Sequence, residues 1–241
     1  MAKTRRVAMQ LGLDWPYKRH SAVFAGTQQY AQEQSWQSSV DEYIEDSLVR
    51  SPNDVPYDGV IARATSKLAV RAARLNVPVV NVWTSSPAWK RLPSVFADYH
   101  AIGRMRAEHL LSRGLRRFAA LIAEENRAEE LELEAFIETL AAAGYPCICE
   151  RVPLNPYASA QEWRKMARII AAWMKKWELP IGVYIGSETE GRIVVQACRN
   201  LGWRVPEDVA IIAGRNEETL CEGLRPTLTS VELGYERIGY E

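Results

Sequence analysis

The 241-residue sequence lacks an excess of either charge, and it has no long hydrophobic run. Thirty basic residues balance thirty acidic ones, whereas a chain that grips a polyanion usually carries a basic excess. We therefore do not expect these residues to bind DNA themselves. The start of the chain, with Arg5 and Arg6 and then a short apolar stretch before Asp14, is too short and too polar for a signal peptide or a membrane span. This predicts a cytoplasmic protein that does not contact a membrane.

The sequence also has few metal-binding and catalytic residue types. Of the four cysteines, Cys147 and Cys149 form a C-x-C pair, with no histidine or second cysteine pair at zinc spacing. Ordinary thiols are therefore expected, with no metal site and no cofactor. The three histidines are scattered, and the motifs G-x-G-x-x-G, G-x-x-x-x-G-K-[ST] and G-x-S-x-G are missing. We expect no catalytic residues and no enzymatic activity.

What the sequence does contain is a regular alternation of short apolar runs and helical patterns. The predicted strands are Val7–Leu13, Ser39–Ile44, Gly59–Ile61, Val79–Trp83, Val95–Ala97, Phe118–Ile122, Ile148–Val152, Gly182–Ile185 and Val209–Ala213. The predicted helices lie near residues 20–34, 66–75, 99–113, 128–143, 159–177 and 188–201. Such alternation predicts an α/β fold with parallel sheets covered on both faces.

Polar and aromatic residues follow several of these strands. Ligands of α/β proteins bind at the carboxyl ends of the strands, and a sugar site needs paired donors and acceptors beside flat apolar rings. Each residue alone could be a helix cap or a surface group, but their shared position indicates a small-molecule site. The candidates are Asp14, Trp15, Trp83, Asp98, Tyr99, Glu188, Arg215 and Asn216.

Three segments resemble regulators of the lac-repressor type. They are VFADYHAIGRMRAEHLLSRGLRRFAAL (95–121), GSETEGRIVVQACRNLGWRVPEDVAIIAGRNEE (186–218) and LRPTLTSVELGYERIGYE (224–241). The resemblance implies a periplasmic-binding-protein-like I fold, in which two doubly wound parallel-sheet lobes surround a ligand cleft and close like a hinge. The implied N-terminal lobe comprises residues 1–114 and 231–241 and is incomplete at its C-terminus, and the C-terminal lobe comprises residues 115–230.

The order of segments is similar to that of the xylose-operon activators, which carry an AraC-like DNA-binding domain after the sensor. The first strand follows Met1 almost at once, and Asn216-Glu217-Glu218 is similar to the Asp-Asn-Glu-Glu of that subgroup. This resemblance implies the effector-binding domain of a bacterial transcription regulator. It further implies a monosaccharide effector, a homodimer, and contact with DNA through a domain outside this chain. A free-standing sugar- or solute-binding protein is the alternative, and an enzyme on a doubly wound sheet is the more distant one.

The residue differs at three of the binding positions implied by the resemblance, and the charge differs at two of them. Glu132 and Arg215 stand where the family has Arg and Asp, and Glu188 stands where it has a second Asp. Asp98 matches the family without change. One interpretation is that Glu132 and Arg215 face each other across the closed cleft with exchanged roles and select a different sugar or an anionic ligand.

The other interpretation is that the sugar site has been lost. Arg215 would then pair with Glu217 or Glu218 on the surface. Arg127, in the preceding loop, could also supply the guanidinium that Glu132 lacks.

Overall fold

The computed structural model describes residues 4–15, 17–48, 55–223 and 225–241. The chain divides into two compact units: unit 1 comprises Met1–Ala97 and Leu233–Glu241, and unit 2 comprises Asp98–Glu232. Each unit contains a four-stranded parallel sheet with flanking helices. The predicted α/β fold class is confirmed.

The elements follow one another in regular alternation. Unit 1 begins with β1 (Arg6–Gln10), α1 (Lys18–Glu33), β2 (Gln37–Val40), α2 (Ile44–Ser47), β3 (Gly59–Ala62), α3 (Ser66–Arg74) and β4 (Val79–Asn81). Unit 2 contains α4 (Tyr99–Ser112), β5 (Phe118–Ala123), α5 (Arg127–Ala142), β6 (Cys147–Val152), α6 (Ala160–Met174), β7 (Ile181–Ile185), α7 (Glu188–Asn200), β8 (Val209–Ala213) and α8 (Glu218–Cys221). The chain then returns to unit 1 as α9 (Tyr235–Tyr240). The strand orders are β2-β1-β3-β4 and β6-β5-β7-β8.

Strand β1, which lies inside the sheet of unit 1, is buried on both faces. Successive side chains of a strand point to opposite faces, and the neighbours Ala8 and Met9 accordingly belong to different apolar clusters. Ala8 packs with Leu68 of α3, while Met9 packs with Val23 of α1 and Tyr235 of α9. This two-sided burial explains why the strands read as apolar runs rather than as alternating patterns.

Helix α4 packs closely on α5 in unit 2. A Cβ added to Gly103 would lie only 2.0 Å from the backbone oxygen of Glu132, so only glycine permits this approach. The units therefore divide between Ala97 and Asp98, whereas the sequence placed α4 in the N-terminal lobe and the boundary at residue 114. The observed units differ from the predicted lobes by residues 98–114, which contain this helix, and by residues 231 and 232.

Two predicted strands are wrong or displaced. Val95–Ala97 is not a strand, because only Ser94 forms an isolated bridge, to Asn81. The predicted strand Ser39–Ile44 is shifted, since β2 covers Gln37–Val40 and Ile44 begins a short helix. There the carboxylate of Asp41 accepts the Tyr43 N–H at 2.9 Å, a local turn that ends the strand.

Within the described ranges, no helix is long and apolar enough to cross a bilayer.

Candidate functional site

The carboxyl edge of the unit 2 sheet carries a buried cluster of charged residues. Glu129 and Glu132 lie in the first half of α5, after β5, and Glu188 is the first residue of α7, after β7. Arg215 follows β8 and Gly214, and Arg106 reaches the cluster from α4. The parallel strands bring these residues together because their carboxyl ends share one edge.

Glu132 is the centre of the cluster. It is fully buried, and Arg215 donates to its Oε1 from Nη2 at 2.8 Å and from Nε at 3.2 Å. Its Oε2 accepts the Tyr184 hydroxyl at 2.9 Å and lies 3.2 Å from Nη2 of Arg106. Both carboxylate oxygens are thus engaged by the protein itself, and two guanidinium groups neutralise one buried carboxylate.

Arg106 holds the turn after β8. Its guanidinium is fully buried and donates to the backbone oxygen of Gly214 at 2.6 Å. It also lies over the ring of Tyr184, 4.8 Å from the ring centroid, which offers a partner for a desolvated cation. Burial raises the pKa of Tyr184 well above its usual value, so its hydroxyl keeps the proton that it donates to Glu132.

Glu188 fixes the backbone of the same turn. Its Oε1 accepts the N–H of Arg215 at 2.6 Å and that of Glu217 at 3.0 Å. Gly214 has φ of 64°, and a Cβ there would lie 1.8 Å from the Glu188 carboxyl carbon. Only glycine lets the carboxylate approach the turn so closely. Glu188 acts here as a support for Arg215.

Glu129 is a second buried carboxyl group beside Arg215. Its Oε2 accepts the Ala123 N–H at 2.8 Å, and its Oε1 accepts from Nδ2 of Asn126 at 2.7 Å. Burial raises its pKa to about 7, although Arg215, 3.9 Å away, acts in the opposite direction. Near neutral pH this group is therefore balanced between its charged and neutral forms.

These contacts correct both interpretations of the charge pattern. Glu132 and Arg215 do pair with each other, but both belong to unit 2, so the predicted pairing across a cleft is wrong. The alternative, in which Arg215 sits on the surface with Glu217 or Glu218, is also not the arrangement seen. The Arg215 side chain is only 13% exposed and is bound to Glu132.

The remaining unit 2 candidates have local structural partners. Asp98 is the N-cap of α4 and accepts the Ala101 N–H at 2.9 Å. Asn216, with a left-handed φ of 62°, donates from Nδ2 to Glu232 at 2.8 Å. Both side chains remain accessible at least in part, and they could still offer polar atoms to a ligand.

The carboxyl edge of the unit 1 sheet carries the aromatic candidates. Asp14 and Trp15 follow β1, and Trp83 follows β4. The guanidinium of Arg63, the residue directly after β3, lies over both tryptophan rings, 5.2 Å from the centroid of Trp15 and 5.1 Å from that of Trp83. The tryptophans thus contact a cation in this structure.

His20 and Glu42 lie at the same edge of unit 1. The Glu42 carboxylate accepts the backbone N–H groups of Gly12 and Leu13 at 3.0 and 3.2 Å. His20 is buried, its Nδ1 lies 2.6 Å from the Gly12 oxygen, and its ring stacks on Trp15. Burial lowers the pKa of His20 to about 4, so the imidazole is neutral at physiological pH.

The sequence analysis missed Arg63, Arg106, Glu129 and Tyr184. Arg63 could have been found, because it follows a predicted strand just as the chosen residues do. Arg106 also left a signal, since it stands four residues after Ile102 and one before Ala107, on the apolar face of its helix. Tyr184 and Glu129 carry no such signal, because their importance comes from contacts with residues distant in sequence.

No metal site is found among the residues that the structure describes: no three His, Cys, Asp or Glu side chains there are placed to hold an ion. All four cysteines are free thiols.

Comparison with known proteins gives a consistent result. The chain is 26% identical, over 98% of its length, to a xylose operon regulatory protein of Haemophilus influenzae, of which it covers 62%. It covers 62% of the corresponding Escherichia coli protein as well, again at 26% identity. The chain therefore spans less than two thirds of the length of these curated relatives. These matches confirm the predicted resemblance.

Solved structures show the same fold. The xylose-binding transcription activator XylR aligns with a TM-score of 0.74 at 21% identity, over 99% of this chain and 61% of that one. The regulator CelR in complex with cellobiose aligns with a TM-score of 0.75 at 20% identity, over 100% of this chain and 76% of that one. A family model described as a periplasmic binding protein-like domain matches residues 107–241. This chain therefore belongs to the periplasmic binding protein-like domain family.

Proposed function

We propose that this chain is the effector-binding domain of a bacterial transcription regulator and that its effector is a small sugar-like molecule. The observation that carries the proposal is that polar and aromatic residues lie at the carboxyl ends of the strands in both units. The relatives support it, because the chain matches xylose operon regulatory proteins along at least 98% of its length, and the structure of a xylose-binding activator shares its fold.

The site residues fall into two groups under this proposal. Asp14, Trp15, Trp83, Asp98 and Asn216 have accessible atoms and are proposed to contact the effector. Glu132 and Glu188 are proposed to act through Arg215, because their oxygens already hold its side chain and its backbone N–H. Arg215 presents its remaining exposed atoms to the effector. The full proposed set is Asp14, Trp15, Trp83, Asp98, Glu132, Glu188, Arg215 and Asn216.

Effector binding would change DNA binding through a shift between conformations. A ligand can shift such an equilibrium only by its difference in affinity for the two states, and about 1–3 kcal/mol is typical of allosteric coupling. The regulator would act in the cytoplasm as a homodimer and contact DNA through an AraC-like domain. The relatives' names support the regulatory role.

A thermal-shift screen tests effector binding. The purified protein is heated with pentoses, hexoses, and their acids and phosphates. A ligand at about 100 times its dissociation constant adds roughly 2.7 kcal/mol of stability, which is a visible rise in Tm. A well-folded sample that responds to none of these compounds contradicts the proposal.

Asn216→Gly then tests the site itself. Glycine keeps the left-handed backbone but removes the amide, so we expect weaker ligand binding with little loss of stability. Asn76→Gly is the matched control, because Asn76 also has a left-handed φ, of 53°, but is exposed at the end of α3. Equal effects of the two changes on binding would place Asn216 outside the site. Regulation is tested separately. Transcription of the operons for the identified ligand is compared between cells with and without the gene for this protein.

A further inference from the structure

Arg63 lies at the carboxyl edge of the unit 1 sheet, beside two tryptophan rings. It directly follows β3, at the edge where β1 and β4 end in Asp14, Trp15 and Trp83. Its backbone N–H donates to Gln10 at 2.9 Å, which ties the residue to the sheet. Its guanidinium lies over the Trp15 and Trp83 rings. The backbone and the two aromatic rings thus hold the side chain at the edge of the sheet.

The Arg63 guanidinium makes no hydrogen bond or ion pair with any residue in the described ranges. The nearby Glu42 carboxylate is bound to the backbone N–H groups of Gly12 and Leu13, and Asp14 is exposed. The Arg63 side chain is half-buried, and burial lowers its pKa. Glu42 and Asp14 act on this cation only through space. A partly desolvated guanidinium that no carboxylate hydrogen-bonds retains its planar set of donors for another anion.

His20 provides a second, independent indication of a ligand. Because a carbonyl oxygen only accepts, Nδ1 carries the proton that is donated to Gly12, and Nε2 is left as an acceptor. That Nε2 is buried and has no hydrogen-bond partner among the described residues. A Cβ on Gly12 would lie 3.3 Å from both Nη1 of Arg63 and Nδ1 of His20. The guanidinium and the imidazole thus flank the same glycine, so the ring that carries the unused acceptor lies close to the unused donors.

We propose that Arg63 anchors an anionic group of the effector, a carboxylate or a phosphate, and that His20 accepts a hydroxyl hydrogen from the same molecule. The effector is therefore a sugar acid or a sugar phosphate rather than a neutral sugar. Planar guanidinium donors bind such groups in a bidentate manner, and the tryptophan rings orient the guanidinium. Arg215 is not the anchor, because its guanidinium is bound to Glu132. This inference rests on the proposed effector-binding function.

The test compares matched neutral and anionic ligands by calorimetry. The probes are D-glucose, D-gluconate and D-glucose 6-phosphate, with D-ribose, D-ribonate and D-ribose 5-phosphate as the pentose series. We expect only the acids or only the phosphates to bind, and this result distinguishes carboxylate from phosphate. Arg63→Gln should weaken that binding at least about tenfold, as expected for a hydrogen bond to a charged group. Arg63→Lys, which keeps the charge but not the planar donors, should weaken it less.

Arg74→Gln is the matched control, because Arg74 is an exposed arginine of the same unit, on α3. It should leave the dissociation constant unchanged. Binding of a neutral sugar that Arg63→Gln does not alter overturns this inference and leaves the proposed function standing. Binding of an acid that is equally tight in Arg63→Gln also overturns it. No binding of any probe by folded protein contradicts both proposals.

Discussion

Single residues in unit 2 show how charges are accommodated in a protein interior. A buried carboxylate is costly unless it is paired and hydrogen-bonded, and Glu132 meets this requirement with Arg106, Arg215 and the Tyr184 hydroxyl. A simple exchange of Glu132 and Arg215 would bring an arginine to face the fully buried Arg106. Arg106 therefore stabilises the present pattern of charges. A comparison of positions 132 and 215 alone does not include it.

Glu129 should make stability depend on pH. Its pKa is raised from 4.5 to about 7 in the folded protein, so between these values the folded state holds a proton that the unfolded state releases. Stability should therefore fall as the pH rises from about 4.5 to about 7, by up to about 3 kcal/mol from this group. Glu129→Gln should remove that part of the slope, as measured by urea unfolding across the pH range.

The control for this prediction is Glu130→Gln. Glu130 is a neighbour on the same helix, its side chain is 41% exposed and pairs with Arg151, and its substitution should leave the slope unchanged. An unaltered slope in Glu129→Gln would show that the carboxyl group titrates normally in the folded protein.

At the scale of elements, the contact between α4 and α5 links the fold to the site. Gly103 allows α4 to approach the backbone of α5 at Glu132, the residue that holds Arg215. The same approach brings Arg106 of α4 within reach of Gly214. Helix α4 carries only Arg106 of the charged cluster. Its position nevertheless determines how the other members of the cluster are arranged.

Gly103→Ala should test this link. The new methyl group would overlap the Glu132 backbone oxygen, and separating the two helices should cost about 3 kcal/mol, measured as a lower urea midpoint. Gly59→Ala is the control, because a Cβ at Gly59 meets only Pro78 atoms at 3.8 Å and beyond. Similar losses for both variants would mean that the α4–α5 contact can relax.

The sequence predicted the positions of strands and helices better than it predicted which of them pack together. Seven of the nine predicted strands lie on observed strands, because buried parallel strands read as continuous apolar runs. The strand predicted at residues 95–97 is not formed, because the chain makes only an isolated bridge to β4, at Ser94, and the pairing does not continue. The sequence assigned α4 to the wrong unit for a related reason. A small residue such as Gly103 permits close packing but does not indicate which helix packs against it.

At the scale of the whole molecule, the chain leaves unit 1 at Ala97 and returns at Leu233. The returning helix α9 packs on α1, where a Cβ at Gly26 would lie 1.8 Å from the Glu236 oxygen. Thr27 donates to the Gly239 oxygen at 3.0 Å across this contact. Unit 1 is thus completed by residues that follow all of unit 2 in the sequence.

Removing residues 233–241 should therefore destabilise unit 1 selectively. The loss of the buried contacts of Leu233, Tyr235 and Ile238 should cost roughly 5 kcal/mol. Hydrogen exchange should show protection that is lower by about 5,000-fold in α1 and little changed in α7. Arg237→Ala, which changes a side chain that is 84% exposed, should leave both helices protected. Equal loss of protection in α1 and α7 would show that the two units unfold together.

The sequence by itself determined the α/β class, the resemblance to the family and the placement of polar residues at strand ends. These properties depend on local patterns of apolar and polar residues, which the chain carries in its order. Only the tertiary structure decided that Glu132 is bound within unit 2 and that Arg63 has no carboxylate partner among the described residues. The charge state and partners of a side chain depend on burial and on groups distant in sequence, and these are fixed only when the strands and helices pack.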